Sequence, residues 1–136
     1  MTEPDAALCL ELVELINAGD IDGVTARCHE DVVAEPILAR VEGGAFVGHD
    51  GMRRWFSERA AAWETILVEP RGEVRREGSH LLIDVAFFSH ARESGVDIEA
   101  QAVMAAQVVA GKLAWWGVYS TDADALARIR ERDAGA

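Results

Sequence analysis

The sequence predicts an α+β domain in which helices pack on a strongly curved antiparallel sheet around an internal pocket. Two observations predict it. Up to Trp63 the apolar residues recur mainly at helical spacing, and from residue 64 onward they mostly alternate as in strands, with glycine-bearing turns between them. Helices followed by an antiparallel meander form an α+β pattern, and a long sheet of this kind can curl over its helices and leave a cavity at its open end. With 136 residues, half of them apolar, the chain is long enough for one sizeable core, so residues 1–136 read as a single domain.

Each element has its own signal. Thr2 and Asp5 have capping-box spacing, and Leu8, Leu12, Leu15 and Ile16 follow on one helical stripe that Cys9 and Val13 widen. Asn17-Ala18-Gly19-Asp20 closes this helix, with Gly19 as the stop and Asp20 as the cap of a second, short helix through Ala26. Residues 31–37 read as a strand interrupted by Pro36, and the loop 42–48 carries Gly43, Gly44 and Gly48. A third helix starts near His49-Asp50. Met52, Trp55, Phe56, Ala60 and Trp63 share its apolar face, and Arg59 falls on that face too, so it either snorkels or meets a buried acid.

The strands follow. Segment 64–77 is expected to bend or bulge at Pro70 and Gly72. Gly78-Ser79 turns into 80–90, where Leu81, Ile83, Val85 and Phe87 alternate. Arg92-Glu93-Ser94-Gly95 leads into a long strand over 96–109, and Ala110-Gly111 turns into 112–120. Thr121-Asp122-Ala123-Asp124 then caps a C-terminal helix carrying Leu126 and Ile129.

Charge and composition narrow the function. A net charge of -11 repels phosphate backbones and anionic lipid, so neither nucleic acid nor a membrane is expected as a partner, and a large anionic substrate is disfavoured. No apolar run approaches the ~18 residues of a membrane span. The acidic start Met1-Thr2-Glu3-Pro4-Asp5 is unlike a signal or transit peptide, so a cytoplasmic location is expected. Cys9 and Cys28 make no disulfide framework and read as buried, inert thiols.

Several stretches carry a resemblance. They are Leu15 through Gly23 at the junction of the first two helices, Phe46-Val47-Gly48-His49-Asp50-Gly51-Met52-Arg53 with Trp55-Phe56 at the third, and Ser94 through Glu99. Gly111-Lys112-Leu113, leading to Tyr119 and Asp124-Ala125-Leu126, is the last. Their order and spacing resemble the nuclear transport factor 2-like superfamily, which includes ketosteroid isomerases, limonene epoxide hydrolase, scytalone dehydratase and SnoaL-like polyketide cyclases. The nearest subgroup is the SnoaL-like proteins. The resemblance implies a cone-shaped fold with an internal pocket. It also implies a homodimer through the outer sheet face, with Trp115, Tyr119 and Phe88 as candidate interface residues.

Within that resemblance Glu35 is the leading catalytic candidate. Val33-Ala34-Glu35-Pro36 is similar to the ketosteroid isomerase segment that sets an acidic general base before a proline. A carboxylate in an apolar cavity has its pKa raised toward neutrality, which suits proton transfer. The blander readings are an exposed strand-end glutamate or a pair with an arginine such as Arg59. The rest of the isomerase machinery is missing. Leu12 stands where those enzymes place a tyrosine, and Val103 or Met104 where they place a protonated acid, so the donors that stabilise an oxyanion are lacking. The Asp-Arg-Asp set of the epoxide hydrolase has no counterpart.

His90, at a strand end near the expected cavity mouth, is the best acid/base histidine. His29, His49, His80 and His90 lack metal-ligand spacing, so no metal is expected. No glycine-rich loop precedes a helix with phosphate-binding spacing, so no cofactor is expected either. Trp55, Phe56, Trp63 and Phe87 are candidate pocket residues, and alignment on Gly111-Lys112-Leu113 adds Trp116, Val118 and Ser120 while turning Trp115 and Tyr119 outward. Such an aromatic pocket suits a small hydrophobic or polycyclic molecule. Asp97, Glu99 and Gln101 share one face of the long strand; parity leaves both directions open, with an outward or rim position favoured.

The expected function is binding of that molecule, with cofactor-independent proton transfer of isomerase, cyclase or hydrolase type through Glu35. A non-catalytic ligand-binding or dimerisation module is the alternative.

Overall fold

A computed structural model describes residues 3–36 and 45–135. The chain begins with α1 (Pro4–Ala18), with Glu3 as its N-cap; Glu3 makes no side-chain cap bond, and Thr2 of the expected capping box lies outside the described residues. Gly19, at a left-handed φ of 72°, ends the helix, and its N–H and that of Asp20 return to the carbonyls of Ile16 and Leu15. The Asp20 carboxylate then accepts from the Gly23 N–H at 2.9 Å and caps α2 (Ile21–Ala26), as the sequence predicts.

Strand β1 (Cys28–Glu35) starts before residue 31, because Cys28 is drawn into the core and pairs with Leu113. Pro36 follows its end. Gly43 and Gly44 lie outside the described residues. β2 (Phe46–Val47) leads directly into α3 (Gly48–Ala62). Gly51 lets that helix lie close on β2, since a Cβ there would stand 2.8 Å from the Phe46 carbonyl carbon. The meander β3 (Trp63–Glu77), β4 (His80–Ala91), β5 (Asp97–Val109) and β6 (Lys112–Tyr119) follows, and then α4 (Asp122–Ala134), capped by the Thr121 hydroxyl. The register of β3 slips between Arg71 and Arg75, around Gly72 at φ 77°, where the sequence predicts a bulge.

The sheet order is β2-β1-β6-β5-β4-β3. The antiparallel expectation fails at one place: β1 pairs with β6 in parallel, Ala34 opposite Trp116. The first and the sixth strand are joined by most of the chain, so no hairpin fixes their relative direction.

Helices cover the inner face of the sheet and part of its outer face. On the inner face, Cys9, Leu12 and Ile16 of α1, Val24 of α2 and Met52 of α3 pack against Val32, Ile83, Val85 and Trp116. On the outer face, Ala125 and Ile129 of α4 pack on Leu82, Val103, Ala105, Trp115 and Tyr119. Trp115 and Tyr119 do point outward, but they are 0% and 3% exposed, so neither is available as an interface residue. Asp97 and Glu99 pair with His90 and Phe88 on the outer face, the direction favoured for them. Burial pushes the Cys9 thiol up to about 12 and the Cys28 thiol up to about 11, which keeps both as unreactive thiols.

Candidate functional site

Between α1, α3 and the inner face of β3–β6 lies a cavity of about 280 Å³. Helix α3 contributes Trp55, Glu58, Arg59 and Ala62 to its wall, and the sheet contributes Trp63, Phe87, Ser89, Met104, Trp116 and Val118, among others. The Trp55 ring meets Trp116 edge-on at 4.9 Å and Phe56 at 4.9 Å. Five of the predicted lining residues therefore do line the space: Trp55, Trp63, Phe87, Trp116 and Val118. Phe56 packs on Trp55 and the core without lining it. Ser120 does not line it. Strand β6 ends at Tyr119, and Ser120 is exposed where the chain turns toward α4.

Asn17 fixes one rim. Its Nδ2 donates to the Val68 carbonyl at 2.8 Å and its Oδ1 accepts from the Val68 N–H at 2.8 Å. This pairs the end of α1 with edge strand β3 as a neighbouring strand's backbone would, and Ile16 and Val68 both line the cavity.

The two catalytic candidates are not in the cavity. Along β1, Val32 and Ala34 belong to the inner core, whereas Val33 packs with the outer cluster, and Glu35 shares the parity of Val33. The Glu35 side chain, 14% exposed, accepts from Trp115 Nε1 at 2.5 Å. It also takes a two-pronged pair from Arg128 of α4, whose Nη2 stands 3.1 Å from Oε1 and 3.0 Å from Oε2. The arginine is not Arg59, and the face is not the one that holds the cavity. His90 also lies on the outer face, with Nδ1 2.6 Å from an Asp97 oxygen and Nε2 3.6 Å from Glu64. The hydrogen bond to Asp97 raises its pKa. Glu35 and His90 are not brought together.

Arg59 is the polar group within the wall that the sequence singled out without assigning. It meets no buried acid: among the described residues no carboxylate lies within ion-pair distance of it. Its Nη2 donates to the Ile66 carbonyl at 3.1 Å, and its guanidinium carbon stands 5.7 Å from the Trp55 ring centre and 5.9 Å from that of Phe56. Burial lowers its pKa, yet an arginine remains cationic. Trp116 Nε1 is also buried, with no hydrogen-bond partner among the described residues.

Sequence reasoning missed the outer polar cluster. His80, 1% exposed, receives Arg132 Nε at 3.3 Å, and Arg132 lies 4.3 Å over the Trp115 ring while donating to Gln107 at 2.9 Å. Arg128 and Arg132, four residues apart on one helix, were the available signal. Among the described residues no three acidic, histidine or cysteine side chains gather as metal ligands.

The family model of the SnoaL-like domain matches residues 10–116. The chain belongs to the SnoaL-like family. Solved structures share its fold, which is nuclear transport factor 2-like. A nuclear transport factor 2-like protein of unknown function from Burkholderia pseudomallei aligns at 16% identity over 93% of this chain and 97% of its own, with a TM-score of 0.78. TerC, co-crystallised with polyporic acid, aligns at 18% over 95% and 99%, with a TM-score of 0.76. A Mycobacterium tuberculosis protein in complex with estradiol-17beta-hemisuccinate aligns at 20% over 90% and 97%, with a TM-score of 0.74. No curated protein matches the chain. Among the described residues no helix is long and apolar enough to cross a membrane.

Proposed function

We propose that this SnoaL-like domain binds a small hydrophobic or polycyclic molecule in its inner cavity. The observation that carries the reading is the cavity itself, about 280 Å³ of space walled by Trp55, Trp63, Phe87 and Trp116. Protein interiors leave few voids larger than a water molecule, so an opening this large is not packing slack. The tryptophans wall the space instead of filling it, which disfavours a purely structural module. That TerC and the M. tuberculosis protein were crystallised with small molecules supports the reading. In this reading Glu35 fastens α4, and proton transfer by Glu35 to a molecule in the cavity has no geometric support.

The test is a titration with phenylnaphthylamine, a neutral dye that brightens in apolar sites. Saturable binding is expected, together with its loss in Ser89→Trp, which places a large ring in the cavity. No saturable binding by the wild-type protein, or undiminished binding by a folded Ser89→Trp variant, overturns the reading.

We also propose that two copies pair through the part of the outer face that α4 does not contact in its packing. Leu67, 52% exposed, lies directly beside Phe88 there. Light scattering should give the mass of a dimer for the wild type and of a monomer for Leu67→Glu; a monomeric wild type refutes it.

A further inference from the structure

We propose that the molecule held in the cavity carries an acidic group, a carboxylate or similar planar oxyanion, and that Arg59 is its counter-charge. The inference rests on the binding reading above and adds the chemical class of the ligand. Its basis is the company Arg59 keeps. Arg27, Arg53, Arg71, Arg75, Arg76 and Arg128 are each within ion-pair distance of a carboxylate, whereas Arg54, Arg59, Arg92, Arg130 and Arg132 pair with none among the described residues, and of these five Arg59 is the one in the cavity wall. Among the described residues Arg59 has no such partner, although it is half-buried and lines the cavity.

A guanidinium has five N–H donors in a fixed plane, and the Ile66 carbonyl engages only Nη2. An occupant without an acceptor would expel water from this cation and leave its donors unmet, and a neutral acceptor would leave its charge uncompensated, which is costly in an apolar setting. An oxyanion restores the lost hydrogen bonds and cancels the charge, in the planar two-pronged geometry that arginine favours. Trp55 joins Arg59 to the aromatic wall, its ring 5.7 Å from the Arg59 guanidinium carbon and 4.9 Å from the Trp116 ring. The aromatic walls hold the ring system while Arg59 orients its acidic end. The net charge of -11 opposes an anion's approach only weakly at physiological salt, where surface charges are screened within about 8 Å, whereas a direct ion pair is not.

The experiment compares naphthoate with naphthamide, its neutral isostere, by quenching of tryptophan emission. Wild type should bind the acid about tenfold or more tightly than the amide. Arg59→Gln should bring the affinities for acid and amide close to equal, and Arg59→Lys, which keeps the charge but not the fork, should retain part of the preference. Equal affinities in the wild type, or an acid preference that survives in Arg59→Gln, overturns the proposal and leaves the binding reading intact. No saturable quenching by either compound overturns both. Should Arg59→Gln fail to fold, the wild-type ratio and the Arg59→Lys variant still decide.

Discussion

Replacing Glu35 separates a structural carboxylate from a catalytic one. Its side chain is 14% exposed and that of Arg128 is 32% exposed. The pair therefore lies between an exposed ion pair, contributing about 0–1 kcal/mol, and a buried one, whose breakage costs about 3–5 kcal/mol. Glu35→Gln removes the charge but keeps an oxygen for Trp115 Nε1, so a loss of about 2 kcal/mol is expected, or about 6 °C in Tm for a domain of this size. Glu35→Ala also leaves the indole N–H of Trp115, which is 0% exposed, without this acceptor. That adds about 1–2 kcal/mol. Thermal and urea unfolding read these losses, and a double-mutant cycle with Arg128→Met should return a coupling of about 1–2 kcal/mol. Dye binding to the cavity should be unchanged in folded Glu35→Gln. A variant as stable as the wild type that no longer binds dye would refute the placement of Glu35 on the outer face.

Asn17→Leu should cost about 2 kcal/mol in urea unfolding, because both backbone groups of Val68 lose their partner, and should weaken dye binding by loosening the rim; full stability would show that the clamp is dispensable. His80 should make stability depend on pH. Burial, and then Arg132, hold its pKa below the ordinary 6.5 while Asp133 opposes them weakly, so the folded protein keeps it neutral. The unfolded chain takes up the proton first, so the His80 contribution is whole above 6.5 and is lost as pH falls through the depressed value. Between about pH 7.5 and about pH 5.5 the wild-type Tm should fall more than that of His80→Gln; equal slopes would contradict this. The His90–Asp97 pair has the opposite sign: its raised pKa keeps the ion pair at low pH and releases it as pH rises past the raised value. His90→Gln should therefore flatten the alkaline side of the same profile slightly.

Much of the fold was legible because local signals agree with it. Gly19 and Asp20 punctuate α1 and α2, Gly72 marks the bulge in β3, and the alternation of Leu81, Ile83, Val85 and Phe87 sets their common inward face. The aromatic wall was legible for the same reason. The position of Glu35 was found but its face was not. A strand covered on one side would show parity, whereas β1 is apolar on both, Val32 and Ala34 inward and Val33 outward. Only α4, about ninety residues away, decides where the glutamate points. Its apolar Ala125, Leu126 and Ile129 announce that the outer face is covered, but not which strands lie beneath. The parallel pairing of β1 and β6 is likewise non-local, and no turn records it. Ser120 was misplaced by a single residue, because alternation was carried one step past the end of β6.

That parallel pairing also governs how the molecule is made. Glu35 and its partner Trp115 are 80 residues apart. At about 5–20 residues per second of synthesis, β1 leaves the ribosome several seconds before the strand it must lie against exists. Non-local contacts of this kind place the domain among the slower-folding topologies. During that interval Val33 lacks the residues of β6 and α4 that cover it, and a nascent chain released before Lys112 would have no β6 to complete the sheet. β6 and α4 therefore close the sheet only after the strands they cover have been made, and translation arrest or a premature stop before Lys112 should yield a substrate for chaperones instead of a smaller binding domain.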